Sequence, residues 1–192
     1  MVYGIAKMLN FAHGDVIMVG GFTIFYAVSM QSWPPLVGVL IAVVLCTVLG
    51  ITIEYIAYRP LRQAASSLAV LITAIGVSYL LQNLALLLFG ANPKAFTSVV
   101  TVPALKLADG QLTISGETIV TIVSCLVIMT GLMIFINKTK AGQAMLAVAE
   151  DKGAAQLMGI NVNGTISLTF AIGSALAAIA GMLLCSAYPT LT

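Results

Sequence analysis

Residues 36–53 read LVGVLIAVVLCTVLGITI, a run that contains no charged residue. A helix needs about 20 apolar residues to cross the roughly 30 Å hydrocarbon core of a bilayer, so this run predicts a membrane span. Similar runs recur along the chain and predict an all-α, polytopic transmembrane helical bundle. The clear spans are 36–53, 68–89, 118–136 and 165–184. A further element around residues 10–30 is either one helix or two halves, so we expect about five membrane helices, the first a candidate for a broken helix.

The composition supports the same class of protein. Hydrophobic residues make up 60% of the 192 residues, charged residues make up 7%, and the mean hydropathy is +1.10. A soluble domain carries about 25% charged residues because its surface faces water. The long unbroken runs also disfavour a β-barrel, whose strands alternate over short segments. The net charge of +2 is too small to indicate a nucleic-acid partner.

The cysteines give no sign of a metal site. Cys46, Cys125 and Cys185 lie in or at the end of apolar runs, without pairing or metal-ligand spacing. We interpret them as small residues that pack helices together, and we predict no metal site.

The basic residues of the polar loops predict the orientation of the chain. Counting spans, the loops at 54–67 and 137–164 lie on one side of the membrane, and the positive-inside rule places the side richer in lysine and arginine in the cytoplasm. That side holds Arg59, Arg62, Lys138, Lys140 and Lys152, whereas the other side holds Lys94 and Lys106. We expect one transmembrane domain, 1–192, with an external loop at 91–117 and a cytoplasmic loop at 137–164.

The two long loops carry local signals of their own. Asp109-Gly110 lies between short β-branched runs, which predicts a small external hairpin. Residues 144–159 are rich in helix formers, are interrupted by Gly153 and end at Gly159, which predicts one or two short helices at the cytoplasmic face. This segment is either a docking surface, with Ala154, Leu157 and Met158 on an apolar side, or an ordinary interfacial helix.

The stretch Asn10-Phe11-Ala12-His13-Gly14-Asp15 places an amide, the only histidine and a carboxylate inside otherwise apolar sequence. Polar groups cost free energy in hydrocarbon, so such a cluster marks a cavity, a pathway or a helix break. Gly14, with Gly20-Gly21 after it, indicates a helix that is broken or closely approached. We take Asn10, His13, Gly14 and Asp15 as candidate residues of a substrate pathway, with the break at Gly14. The alternative is a polar knot that only ties neighbouring helices together.

The last span carries small residues at a regular spacing. Gly173, Ala177 and Gly181 are four residues apart and share one face of the predicted helix. Such a face lets another helix approach closely. We interpret it as a packing face without a direct role in function.

Three motifs of the chain resemble those of branched-chain amino-acid ABC transporter permeases, in the same order and spacing. They are Asn10–Asp15, Glu54–Arg62, and Glu150-Asp151 through Ala154-Ala155 to Gly159-Ile160-Asn161. The resemblance covers nearly the whole chain and is closest to the leucine/isoleucine/valine type, on the subunit that carries an Asn-Phe-Ala-His-Gly motif. It implies a permease subunit, in the bacterial or archaeal cell (inner) membrane, of an ABC importer that translocates branched-chain, hydrophobic amino acids.

The resemblance also implies the partners of the chain. These are a sister permease subunit, two cytoplasmic ATPase subunits and a periplasmic or extracellular substrate-binding protein. The family's coupling loop, which receives the ATPase, resembles this chain at Glu150, Asp151, Ala154, Ala155 and Gly159. No Walker-type lysine motif is found, so ATP is expected on the partner subunits and no cofactor on this chain. Members of the family begin before the equivalent of Met1 and continue beyond that of Thr192, so we expect a partial chain.

Other functions stay open at this point. Permeases for urea and short-chain amides share much of the pattern, so the substrate is not fixed by the motifs. A self-contained secondary carrier or channel would be favoured by internal repeats, which we do not find. An intramembrane enzyme would need a catalytic pair, whereas His13 and Asp15 are two residues apart and do not share a helix face. We predict no enzymatic activity and no catalytic residues.

Overall fold

The computed structural model describes residues 4–5, 11–61, 67–92, 94–95, 105–107, 112–188 and 190–191. In this part of the chain, five helices are long and apolar enough to cross a membrane. The five spans are His13–Met30, Pro35–Tyr58, Ala69–Phe89, Gly116–Lys138 and Val162–Ala187. The predicted all-α bundle with about five membrane helices is therefore confirmed.

The first span is divided, and the division lies before His13. Residues 4–5 are helical, residues 11–12 form a turn, helix α1 covers His13–Phe25, and a π turn follows at Tyr26–Met30. The backbone N–H of Val16 donates to the carbonyl of Ala12 at 3.0 Å, so helical hydrogen bonding begins ahead of Gly14. The prediction of a broken first element is confirmed, but its placement at Gly14 is wrong.

Helix α2 covers Pro35–Ile53 and continues through a π turn at Glu54–Tyr58. Proline suits the first position of a helix, because the N–H that it lacks has no helical partner there. The backbone N–H of Arg59 donates to the carbonyl of Glu54 at 2.8 Å, which carries the helix past Ile53. The expectation that a cytoplasmic loop begins at residue 54 is wrong, since the side chains of Glu54 and Tyr58 are fully buried within the bundle.

Helices α3 (Ser67–Phe89) and α4 (Gly116–Lys138) lie at the periphery, and most of their described side chains are exposed. The hydroxyl of Ser115 caps α4 by accepting a hydrogen bond from the Thr118 N–H at 3.4 Å. Helix α4 therefore begins within the external loop expected at 91–117.

Short strands lie in the loop regions. They are β1 (Lys94–Ala95), β2 (Leu105–Leu107), β3 (Leu112–Ile114) and β4 (Thr190–Leu191). Strands β2 and β3 pair antiparallel, with Lys106 opposite Thr113, so the predicted hairpin is confirmed. Strand β1 pairs antiparallel with β4, which brings residues 190–191 to the loop after α3.

Two short helices follow α4, as the helix-forming composition of this segment predicts. They are α5 (Lys140–Glu150) and α6 (Lys152–Leu157). The break between them lies at Asp151 and not at Gly153, because the Asp151 Oδ1 accepts from two backbone N–H groups of α6, at 2.7 and 3.1 Å. Gly159 has a φ of 82°, a left-handed conformation that favours glycine and ends the segment as predicted.

Helix α7 (Val162–Ala187) lies at the centre of the bundle, with α1 and α2 packed against it. Gly173, Ala177 and Gly181 are all buried, so the predicted packing face is confirmed. A Cβ atom at Gly181 would lie 2.6 Å from the carbonyl oxygen of Ile17. Only glycine permits the backbones of α1 and α7 to come this close.

Candidate functional site

Asp15 lies in the first turn of α1 and is 7% exposed. Its Oδ1 accepts a hydrogen bond from Gln82 Nε2 at 3.0 Å, and its Oδ2 accepts one from Ser78 Oγ. Gln82 Nε2 also donates to Ser78 Oγ at 3.2 Å. Ser78 and Gln82 are four residues apart and share one face of α3. The carboxylate therefore joins α1 to α3 through polar contacts, which offset the cost of removing it from water.

The pairing of α1 with α3 sets the depth of Asp15 in the membrane. Phe22 stacks on Phe89, with the ring centroids 4.6 Å apart and the planes at 6°. Phe22 follows Asp15 on α1, and Phe89 follows Gln82 on α3, in each case by about two helical turns, or about 11 Å. Because both pairs are in contact in the same order, the two helices run parallel. Phe89 ends a span of 21 residues, which is about 31 Å long. The Asp15 carboxylate thus lies beside the α3 span, about a third of its length in from the Phe89 end.

Of the other candidates of the opening cluster, the structure describes His13 and Gly14, and neither hydrogen bond to the Asp15 carboxylate involves them. His13 is half-buried and Gly14 is exposed. Both hydrogen bonds to the Asp15 carboxylate come from α3 and not from His13. Asn10 lies outside the residues that the structure describes. Of the candidates that are described, Asp15 is the one that the bundle buries.

Sequence reasoning missed the partners of Asp15. Gln82 is conspicuous as an amide in an apolar span, but neither it nor Ser78 was assigned to a site. The available signal was their spacing of four residues, which places two polar side chains on one face of an apolar helix. Such a face predicts a polar partner on a neighbouring helix but does not identify that helix.

A second buried carboxylate, Glu54, lies in the π turn at the end of α2 and has no exposed surface. Ser167 Oγ of α7 donates a hydrogen bond to Glu54 Oε2 at 2.5 Å. Tyr58, in the same π turn, is also fully buried, and its ring centroid lies 5.5 Å from that of Phe170. A hydrogen bond and an aromatic contact therefore join the end of α2 to α7.

The segment of α5 and α6 exposes most of the predicted coupling residues. Those that are exposed are Glu150, Asp151, Ala154 and Gly159. Ala155 is buried in the core cluster, together with residues of α7. Leu157 and Met158 are 90% and 83% exposed, so two adjacent apolar side chains at the end of α6 are free to pack against another surface.

Metal-ligating side chains are dispersed in the part of the chain that the structure describes. There, no three His, Cys, Asp or Glu residues come together as a possible metal site. Cys46 and Cys185 are buried in the bundle, whereas Cys125 is exposed on α4. The Cys46 Sγ donates to the carbonyl of Val16 at 3.5 Å, which agrees with the packing role predicted for it.

A family model described as the permease component of branched-chain amino acid transport systems matches residues 1–191. The chain belongs to this permease family. The match includes both buried carboxylates and the two short helices.

Individual permeases of the family resemble the chain over most of its length. BraD of Pseudomonas aeruginosa, a high-affinity branched-chain amino acid transport system permease protein, is 38% identical over 194 residues, which cover 96% of this chain and 63% of BraD. LivH of Escherichia coli, described in the same words, is 38% identical over 196 residues, with 96% and 63% covered. A probable LivH of Methanocaldococcus jannaschii is 26% identical over 190 residues. The chain thus spans about 63% of the length of these bacterial permeases. No solved structure matches it.

Membership in the branched-chain permease family confirms the resemblance drawn from the three motifs. It also agrees with the predicted class of a multi-pass membrane protein of a permease family. Membership in a family does not assign a role to individual residues, so the roles of Asp15 and of the coupling segment stay predictions.

Proposed function

We propose that this chain is the permease subunit of an ABC importer that carries branched-chain, hydrophobic amino acids across the bacterial or archaeal cell (inner) membrane. The observation that carries the proposal is the Asp15 carboxylate, held inside the membrane at the start of a helix in a chain of the branched-chain permease family. Ionisable groups within membrane segments commonly mark substrate pathways. The bacterial relatives are named as permeases of high-affinity branched-chain amino acid transport systems, which supports the choice of substrate.

The start of α1 offers groups that suit both charged ends of an amino acid. Ala12, the cap residue of α1, has no side chain that could cap the helix, and the positive end of the helix dipole favours a carboxylate there. Asp15, one turn into the helix, is an acceptor for an ammonium group. Transporters commonly place substrate at such a helix start near the middle of the membrane. We assign Asn10, His13, Gly14 and Asp15 to the substrate pathway on this basis.

The segment of α5 and α6 is the proposed contact with the ATPase. Glu150, Asp151, Ala154, Ala155 and Gly159 form the proposed coupling surface. Exposed Leu157 and Met158 supply apolar area for docking, and the buried Ala155 connects α6 to the core beside α7. Movement of the docked ATPase would thus reach α7, which packs against α1 and α2.

The proposed assembly contains a sister permease subunit, two cytoplasmic ATPase subunits that bind ATP, and a periplasmic or extracellular substrate-binding protein. In this arrangement α5 and α6 face the cytoplasm, and the β2–β3 hairpin lies outside. The asymmetry of basic residues between alternate loops supports that orientation.

The proposal is tested by uptake of radiolabelled leucine. The complete permease that carries this sequence is expressed with its partner subunits in cells that lack their own leucine importers. We expect saturable uptake that isoleucine and valine inhibit, and that stops when the Walker lysine of the ATPase is replaced. Cells without the permease are the control.

Two results would contradict this function in different ways. Uptake of urea or acetamide in place of leucine would assign the chain to the short-amide permeases. Leucine uptake that continues without the ATPase subunits would indicate a self-contained carrier.

The coupling surface has its own test in the variant Gly159→Val. A β-branched residue is strained at a φ of 82°, so the end of α6 should change conformation. We expect ATP hydrolysis to continue while leucine uptake per folded transporter falls. The matched control is Gly131→Val on α4, where an added Cβ meets nothing within 4 Å. Normal uptake in Gly159→Val would remove Gly159 from the coupling surface.

A further inference from the structure

A cleft of about 140 Å³ lies between α1 and α3. Pockets for drug-sized ligands measure about 300–1,000 Å³, so this cleft has room for a small group only. Its walls are mostly apolar: Met18 and Phe22 contribute from α1, and Ala85 and Leu86 contribute from α3. The cleft therefore suits a short hydrocarbon group.

One end of the cleft meets the Asp15 cluster. Asp15, Met18 and Phe22 are spaced by three and four residues and share one face of α1. Gln82 lines the cleft, and its Nε2 donates to Asp15 Oδ1 at 3.0 Å. Asn92, just past the end of α3, lines the cleft at its other end. The cleft thus runs from Asn92, on the side assigned as external, to Gln82, which is hydrogen-bonded to the buried carboxylate.

We propose that this cleft holds the apolar side chain of the transported amino acid, while Asp15 and Gln82 hold its ammonium group. The assignment rests on the proposed function and adds the residues that select the side chain. It also gives a direction of access, from Asn92 inwards to Asp15.

The end of the cleft beside Asp15 and Gln82 can accept hydrogen bonds from an ammonium group. A carboxylate has about four lone-pair sites, and the two hydrogen bonds from α3 occupy two of those on Asp15. Because Asp15 only accepts, the amide nitrogen of Gln82 must be turned towards it. The amide oxygen of Gln82 is then a second acceptor for the ammonium group.

The apolar end predicts selection by side-chain size. In a hydrophobic pocket, one methylene more or less changes discrimination between substrates by about 10–200-fold. Met18 of α1 and Ala85 of α3 lie on opposite walls of the cleft. Shortening the long side chain of Met18 would enlarge the cleft, and lengthening the small side chain of Ala85 would fill it.

The test uses Met18→Ala and Ala85→Leu in the complete permease with its partner subunits. Uptake of radiolabelled alanine, leucine and phenylalanine is measured for each variant. Met18→Ala enlarges the cleft and should raise the ratio of phenylalanine to leucine uptake by about tenfold. Ala85→Leu fills the cleft and should lower the ratio of leucine to alanine uptake by about tenfold. Met133→Ala, at a position on α4 that is 64% exposed, is the matched control and should leave both ratios unchanged.

The uptake ratios separate this assignment from a structural role, because misfolding of the transporter lowers the uptake of all three amino acids together. Unchanged ratios in Met18→Ala, with leucine uptake retained, would overturn the cleft assignment and leave the proposed function standing. If Ala85→Leu fails to reach the membrane, the ratio of phenylalanine to leucine uptake in Met18→Ala tests the cleft assignment alone. No uptake of any of the three by the unmodified importer would overturn the proposed function itself.

Discussion

Among the residues that the structure describes, two carboxylates are buried, and their surroundings differ. Asp15 of α1 and Glu54 of α2 each accept a hydrogen bond from a serine on another helix, Ser78 and Ser167 respectively. Glu54 has no exposed surface and shares its π turn with Tyr58, which is equally buried. Asp15 lies at a helix start inside the membrane, and its partner Gln82 lines an open cleft.

The difference shows that a buried charge alone does not identify a transport site. Both carboxylates need hydrogen-bond donors, because an unpaired charge in apolar surroundings is costly. Glu54 is fully enclosed where α2 meets α7, and its hydrogen bond with Ser167 joins these helices. Asp15 is hydrogen-bonded to Gln82, which lines a cleft with room for a small group. We therefore propose a role in folding for Glu54 and a role in substrate binding for Asp15.

Gly181→Val should have the largest effect, because it forces α1 away from α7 without changing either carboxylate. A Cβ at this position would lie 2.6 Å from the backbone oxygen of Ile17, which cannot turn away as a side chain would. Overpacking costs about 1–3 kcal/mol even where side chains adjust, so we expect the ratio of unfolded to folded protein to rise by about 5–150-fold. The measurement is the monodisperse fraction in size-exclusion chromatography after solubilisation.

The control for this change is Gly131→Val, at an open position on α4. It should leave the monodisperse fraction unchanged. A normal fraction for Gly181→Val would mean that α1 and α7 do not pack as closely as described, and the placement of Asp15 would lose its support.

Glu54→Ala should have the next largest effect, on stability. It removes the acceptor for the Ser167 hydroxyl and also leaves a space where the fully buried side chain was, so we expect a cost of about 1.5–3 kcal/mol, more than for the loss of one hydrogen bond. For a chain of this size we expect the midpoint of thermal unfolding to fall by roughly 3–12 °C. The measurement is heat-induced aggregation of the purified protein in detergent. Met133→Ala changes an exposed side chain on α4 and should leave the midpoint unchanged; equal midpoints for the unmodified protein and both variants would refute the role of Glu54 in folding.

Much of the fold could be predicted because the bilayer imposes a simple requirement of length and apolarity. The five spans, the small-residue face of α7 and the two short helices all follow from local composition and spacing. The burial of Asp15 follows from the cost of a carboxylate in lipid.

The contacts of the two carboxylates could not be predicted, because they depend on residues far apart in sequence. Glu54 precedes a run with tyrosines, arginines and a proline, which is typical of a loop at the end of a span. Only its contact with Ser167, 113 residues later, shows why the helix continues. The position of the first break was also misjudged, because Gly14 is equally well suited to the first turn of a helix.

Ser78→Ala and Ser167→Ala form a matched pair with the smallest expected effects. Each removes one hydroxyl donor from a carboxylate, which is worth about 1 kcal/mol. Ser167→Ala should lower the thermal midpoint by roughly 2–4 °C and leave the KM for leucine uptake unchanged. Ser78→Ala should raise that KM roughly fivefold with little change of the midpoint. If both serines change only the midpoint, and by the same amount, the two sites do not differ in role.

The central claim is tested most directly by comparing Asp15→Asn with Glu54→Gln in the complete importer. Each change keeps the size of the side chain and removes its charge. Leucine uptake is divided by the amount of folded transporter in the same membranes. We predict that Asp15→Asn lowers uptake per folded transporter by about tenfold or more, because the ammonium group of the substrate loses its charged acceptor. Glu54→Gln should instead lower the amount of folded transporter and leave uptake per folded transporter near normal. Equal uptake per folded transporter in the two variants would contradict the division of roles between Asp15 and Glu54.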